Sequence, residues 1–147
     1  MPRVIDGDNL LGTWPGRKRG DADKRTLARE VDQLRRQEKR RVVVVFDGTA
    51  PPGVSYGADV QFSGGGRKAD AVILELLRRE PDPRGWIVVT NDRSLADQCR
   101  YLGASIEAVK SFRERLTRET AVEKPDATAD LDYWLQQFGA DDEKKPR

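Results

Sequence analysis

Residues 41–46 read RVVVVF, four valines and a phenylalanine closed by Asp47 and Gly48. Successive side chains of a strand point to opposite faces, so a strand with one wet face alternates apolar and polar residues. Here both faces are apolar. The segment therefore fits a strand covered on both sides, the pattern of parallel sheets flanked by helices. Two further runs share this character, RVID at 3–6 and WIVVT at 86–90. Between them lie amphipathic stretches: 22–40, with Leu27, Val31 and Leu34 on one stripe, and 68–80, with Ala69, Val72, Ile73, Leu76 and Leu77. Helices are also expected at 93–102 and about 111–119, and short strands at 58–62 and 104–109. The alternation predicts an α/β fold, a three-layer α/β/α domain with a mostly parallel central sheet and right-handed crossovers.

The chain has 147 residues, enough for one domain with a real core. That domain is expected over 1–119. A linker and a short docking helix should follow over 120–140, the helix carried by Leu131, Trp134, Leu135 and Phe138, and 141–147 should form a disordered charged tail. Charged residues make up 35% of the sequence and hydrophobic residues 37%, so dense surface charge covers a modest core. Lys and Arg number 27 against 25 Asp and Glu, a net of +2, so position and not total must carry any electrostatic function. Basic residues cluster at 16–20, 23–25, 35–41, 67–68, 78–79 and 113–118, which suits either solvated helix faces or a polyanion partner.

There is no histidine, which excludes a Ser-His-Asp triad, a histidine base and any imidazole metal ligand. The single cysteine, Cys99, has no thiol or imidazole partner and reads as a small buried hydrophobe in a reducing compartment. No signal-peptide pattern opens the sequence and no apolar run approaches the roughly 20 residues of a membrane span, so a soluble, cytoplasmic protein is expected.

The chemistry left is that of carboxylates. In an open parallel sheet, ligands bind beyond the carboxyl ends of the strands. Asp6 ends the first apolar run, Asp47 follows the second, and Asp92 follows the third after Thr90 and Asn91. Asp70 lies in the first turn of its helix, where it also complements the helix dipole; Asp47 and Asp92 are equally suited to turns or caps. Carboxylates brought to one edge repel one another unless a cation neutralises them, and a hard oxygen donor set favours Mg²⁺ or Mn²⁺. Asn9 is placed either to orient the site or to cap the next segment, and Thr90 and Asn91 to support it by hydrogen bonds. Arg17, Lys18 and Arg19, together with Arg67, Lys68 and Arg93, are candidates to hold the phosphates of a nucleic-acid or other polyanion partner. Trp14 and Tyr56 are candidates either for stacking an unpaired base or for packing. The SGGGRK run at 63–68 lacks P-loop spacing and reads as a flexible lead-in to the helix.

In order along the chain, VIDGDNLL, VVVVFDG, FSGGGRKADAVILELL and WIVVTNDRSLADQCRYLGASIEAVKSF resemble the YacP-like branch of the NYN nucleases, within the PIN-like superfamily, over about residues 3–115. The resemblance implies a PIN-like fold and metal-dependent endoribonuclease activity on RNA, including ribosome-associated RNA. It implies that Asp6, Asn9, Asp70 and Asp92 form the catalytic set, with Asp6, Asp70 and Asp92 on the metal and Asp47 and Asp97 as less certain ligands. Two positions depart from the pattern. Asp8 stands where an aromatic or other residue is more usual, and Ala96 stands where many relatives carry an acid, which here is displaced to Asp97, about 100° around the helix. Two other functions are open to the sequence: a non-catalytic RNA- or ribosome-binding module of the same fold, and a haloacid-dehalogenase-like phosphatase using Asp6 and Asp8.

Overall fold

The computed structural model describes residues 1–53, 56–57 and 59–122. Its strands are β1 (Arg3–Asp6), β2 (Val42–Phe46), β3 (Val60–Phe62), β4 (Ile87–Val89) and β5 (Ser105–Glu107). Its helices are α1 (Gly7–Gly12), α2 (Asp21–Glu38), α3 (Ala69–Arg79), α4 (Arg93–Tyr101) and α5 (Val109–Val122), with a single 3₁₀ turn at Pro83–Gly85. The strands form one sheet in the order β3-β2-β1-β4-β5. All four pairings are parallel, so the sheet is more uniform than the mostly parallel one expected.

The continuous apolar runs are explained by the two layers they meet. Val4, Val43, Val45 and Val88 face α3 and α4, packing with Ile73, Leu77, Leu95 and Cys99. Ile5, Val42, Val44 and Val89 face the other way, onto Leu10, Leu27, Leu34, Phe112 and Leu116 of α1, α2 and α5. Cys99 is fully buried, and burial pushes its thiol up to about 12, so it stays protonated and acts as packing.

The elements expected from periodicity are present, with ends within one to three residues of those expected. The helix α1 is an addition: GDNLLG is too short to show a period and opens on glycine, so nothing in its pattern separates it from a loop. The chain divides into two units, Met1–Thr117 and Arg118–Arg147. The helix expected to stop near 119 continues to Val122. The remainder of the expected linker, the docking helix with Trp134 and the 141–147 tail lie outside the described residues. Among the described residues, no helix is long and apolar enough to cross a membrane.

One ionic network ties the sheet to α2 and α5 of the second layer. Arg3, 6% exposed, donates from Nε to Glu107 at 3.1 Å and from Nη1 to Glu38 at 3.4 Å, and its guanidinium lies 5.8 Å from the Phe112 ring centroid. Arg115 reaches the same two carboxylates at 3.6 and 3.8 Å. Removing one cation leaves partly buried carboxylates underneutralised, which costs more than the intact network contributes. Arg3→Ala is therefore expected to lower unfolding stability by roughly 3 kcal/mol in urea titrations; a change below about 0.5 kcal/mol would show that Arg115 suffices alone.

Candidate active site at the carboxyl edge of the sheet

The strand order reverses direction between β1 and β4, so the loops leaving their carboxyl ends diverge to opposite faces and open a crevice. Asp6 stands at the end of β1 on one side of this crevice, and Thr90-Asn91-Asp92 follow β4 on the other. The Thr90 hydroxyl donates to Asp6 Oδ2 at 3.2 Å and accepts the Asp92 backbone N–H at 3.0 Å. Asp92 in turn caps α4, accepting the Leu95 N–H at 3.1 Å. Asn9, projecting from α1, accepts the Asn91 N–H at 2.7 Å, and Asn91 accepts the Val109 N–H at 3.1 Å. Two side-chain amides in series thus clamp α1, the loop after β4 and the start of α5.

Asp6 is only 8% exposed. Burial is the main reason its pKa is raised from 3.8 to about 6; the Thr90 hydroxyl and the Asn9 backbone N–H pull it down, and the charges of Asp47 and Asp8 push it further up. The fold thus gathers three carboxylates near the end of β1. Asp47 accepts the Ala69 N–H at 2.6 Å and so caps α3 from the end of β2. Asp70, next along α3, accepts its neighbour's N–H at Ala71, at 2.8 Å. Asp97 is exposed on α4 and paired with Arg100 at 3.2 Å. It lines a groove of about 510 Å³ with Thr90, Asn91, Arg93, Ala96 and Arg100.

Asp8, which no sequence pattern explained, buttresses the acidic edge. Its Oδ2 accepts the Asp47 N–H, and its Oδ1 faces Lys24 Nζ at 3.8 Å. Lys24, overlooked as one member of a basic cluster, lies against the rings of Phe46 and Phe62 at 5.3 and 5.8 Å. Both are long-range contacts from α2, invisible to local spacing. With both oxygens engaged, Asp8 is not poised as the acid of a D-x-D phosphatase pair.

The predicted RNA-binding cations separate into two groups. Arg17 is gripped by both oxygens of Glu30 at 2.6 and 2.8 Å and stacks 3.7 Å above Trp14, so it also covers that indole. Arg19 donates to the Asp8 carbonyl at 3.2 Å, and Arg67 pairs with Glu75 at 3.4 Å. Lys18, Lys68 and Arg93 are exposed and make no side-chain hydrogen bond or ion pair with described residues. Tyr56 packs edge-on against Phe62 at 5.1 Å. The SGGGRK loop is tied down: Ser63 Oγ accepts the Gly48 N–H at 2.9 Å and donates to the Arg67 carbonyl at 2.8 Å, while Gly64 bridges to Gly48. Gly48 and Gly64 sit at φ 89° and 88°, the left-handed region that the bridge requires.

Among the described residues, no three Asp, Glu or Cys side chains stand close enough to enclose an ion by themselves. The donor chemistry nevertheless fits Mg²⁺ or Mn²⁺, which bind through one or two carboxylates and complete their shell with water and substrate phosphate oxygens. A buried carboxylate with raised proton affinity, flanked by two more, is the arrangement that such a charge relieves.

The YacP-like NYN domain family matches residues 3–137 of this chain. Two solved structures of Rae1 (YacP) from Bacillus subtilis share its fold at 20% identity. The W164L mutant superposes with a TM-score of 0.68, covering 82% of this chain and 77% of that one. The other has a TM-score of 0.60 and covers 92% of this chain and 90% of that one. No curated protein sequence matches the chain.

Two expectations follow for stability. Because Asp6 has a higher pKa folded than unfolded, its contribution is fully present below about pH 4 and lost as pH rises through 6. Asp6→Asn should therefore gain on the parent protein, by up to roughly 3 kcal/mol, as pH goes from 4 to 7.5 in chelator; a pH-independent difference in urea unfolding would contradict the buried charge. Gly7 is the second. A Cβ there would lie 2.5 Å from the Phe46 ring, so glycine lets α1 begin directly against β2. Gly7→Ala should lose about 1–2 kcal/mol, overpacking outweighing alanine's helix preference, with thermal unfolding as the check.

Proposed function

The chain belongs to the YacP-like NYN domain family, whose domains are nuclease-like and RNA-related, and from that premise we propose that it is a Mg²⁺- or Mn²⁺-dependent endoribonuclease. The observation that carries the proposal is the buried Asp6 carboxylate in the crevice between β1 and β4, hydrogen-bonded to Thr90 and raised to about 6. A group so placed binds either a proton or a cation near neutrality.

In this reading Asp6, Asp70 and Asp92 hold the ion, with Asp47 beside them and Asp97 at the margin. A divalent cation bound there would polarise a phosphodiester and lower the pKa of an attacking water. Thr90 fixes the Asp6 carboxylate and the Asp92 backbone together. Asn9 acts through Asn91, holding the loop that carries Asp92 against α1. Asp8 and Lys24 hold the Asp47 turn. Lys18, Lys68 and Arg93, exposed around the acidic edge, meet the phosphates flanking the scissile bond. Ribosome-associated RNA in the cytoplasm is the setting that the family resemblance suggests; cosedimentation of the protein with ribosomes checks it.

The test is cleavage of single-stranded RNA with Mn²⁺, with and without chelator. Asp6→Asn is expected to reduce kcat by on the order of 100-fold or more, and Mn²⁺ to raise the melting temperature of the parent protein but not of the variant. Undiminished cleavage by the variant refutes the role of Asp6, and chelator-resistant cleavage refutes the metal. The non-catalytic reading predicts salt-sensitive RNA binding by the parent protein with no turnover.

A further inference from the structure

The opposite edge of the sheet carries a second charged feature. Residues 35–41, RRQEKRR, hold five cations and one acid, a net of +4 in a chain whose total is +2, so all the remaining residues sum to −2. The stretch spans the end of α2 and the turn into β2, at the amino end of a strand whose carboxyl end leads to Asp47. Arg35, Arg36, Lys39, Arg40 and Arg41 wall a depression of about 460 Å³ together with a single acid, Asp59.

Local ion pairs account for only part of this charge. Arg35 pairs with Asp32 at 2.7 Å and Asp59 at 3.5 Å, and Arg41 reaches Glu80 at 4.0 Å. Arg36 is exposed and touches Asp32 at 3.4 Å. Lys39 and Arg40 are exposed and make no side-chain hydrogen bond or ion pair with described residues. A bland account is available for cations in the last helical turn, since Arg35 and Arg36 complement the dipole. It does not extend to Lys39. That residue ends α2 in the left-handed conformation, φ 55° and ψ 40°, and is the only non-glycine with positive φ among the described residues. Glycine or asparagine is the usual occupant of such a position because a Cβ is strained there. A lysine there accepts that strain in exchange for a cation at the rim of the depression.

We propose that this depression is a docking site for the phosphodiester backbone of RNA, separate from the acidic edge. The inference rests on the reading of the chain as an RNA-cleaving enzyme and names a feature of its substrate. Strand β2 alone separates the two edges by about 15 Å, at roughly 3.3 Å per residue, so one RNA reaches both only if it is folded or extends well past the cleaved bond. A cluster dominated by arginine, with its planar fork of donors, favours phosphate over the single carboxylates of an acidic protein.

The experiment measures binding of a 30-nucleotide RNA hairpin in chelator as a function of KCl concentration. The triple variant Arg36→Gln, Lys39→Gly, Arg40→Gln is expected to bind about tenfold or more weakly, with the slope of log K against log[salt] reduced by about 2–3. Lys39→Gly alone is expected to reduce the slope by about 1 while melting no lower than the parent protein. A lower melting temperature with an unaltered slope overturns the proposal, as does an unaltered slope in the triple variant. Polyglutamate competing as well as RNA overturns it in favour of an acidic protein partner. Cleavage of a five-nucleotide oligomer, run alongside, reports on the nuclease reading by itself: if the parent protein cleaves neither RNA that reading fails, while the salt slopes still decide the docking site.

Discussion

The Asp6 carboxylate ends the central strand of the sheet, nearly removed from water, with one oxygen on the Thr90 hydroxyl at 3.2 Å. Its charged form is disfavoured there by desolvation and by two neighbouring carboxylates. A chain selected for stability alone would put an apolar residue at this point, as at Val45, its register partner on β2. The acid is tolerated because its surroundings fix it tightly. β1 lies between β2 and β4, the register is set on both sides by apolar layers, and a one-residue slip would turn every side chain to the wrong face.

That constraint extends outward through hydrogen bonds to backbone donors. Asp92 caps α4, Asp47 caps α3, Asp8 accepts the Asp47 N–H, and Asn9 and Asn91 bind the loop after β4. For Asp47 and Asp92 the capping and site-forming readings are compatible, because a carboxylate cap uses one oxygen and leaves the second for another partner. Each cap also fixes its carboxylate, which is how side chains just beyond the ends of three strands acquire defined positions.

Much of this was legible in the sequence, for identifiable reasons. The strands β1, β2 and β4 are continuous apolar runs, and α2 and α3 repeat their apolar stripe over several turns. Their order then puts Asp6, Asp47 and Asp92 at one edge with no further information. What was not legible depends on distance along the chain. Lys24 meets Asp8 from a different helix, the burial of Arg3 depends on two glutamates 35 and 104 residues away, and α1 is too short to have a period. Arg17 illustrates the reverse case. It reads as a phosphate ligand from its neighbours, yet Glu30, one helix later, neutralises it. A cation's availability is a property of the partners that folding brings to it, which spacing alone does not encode.

The same point governs the charge asymmetry between the two ends of the sheet. At physiological ionic strength charges are screened over about 8 Å, shorter than the sheet is tall, so the cations at the amino edge do little to offset the field of the acids at the other. RNA approaching the acidic edge meets net repulsion unless a bound cation cancels it locally. Any attraction has to come by direct contact elsewhere on the molecule or from the exposed Lys18, Lys68 and Arg93 around the site. Separating the two functions also keeps them chemically independent. Arginines placed among the acids would pair with them, as Arg17 and Arg67 do with nearby glutamates, and would compete with any cation for those carboxylates. On the proposed reading, a nuclease built on carboxylates and lacking histidine therefore gains by holding much of its polyanion-binding charge away from the bond it cuts.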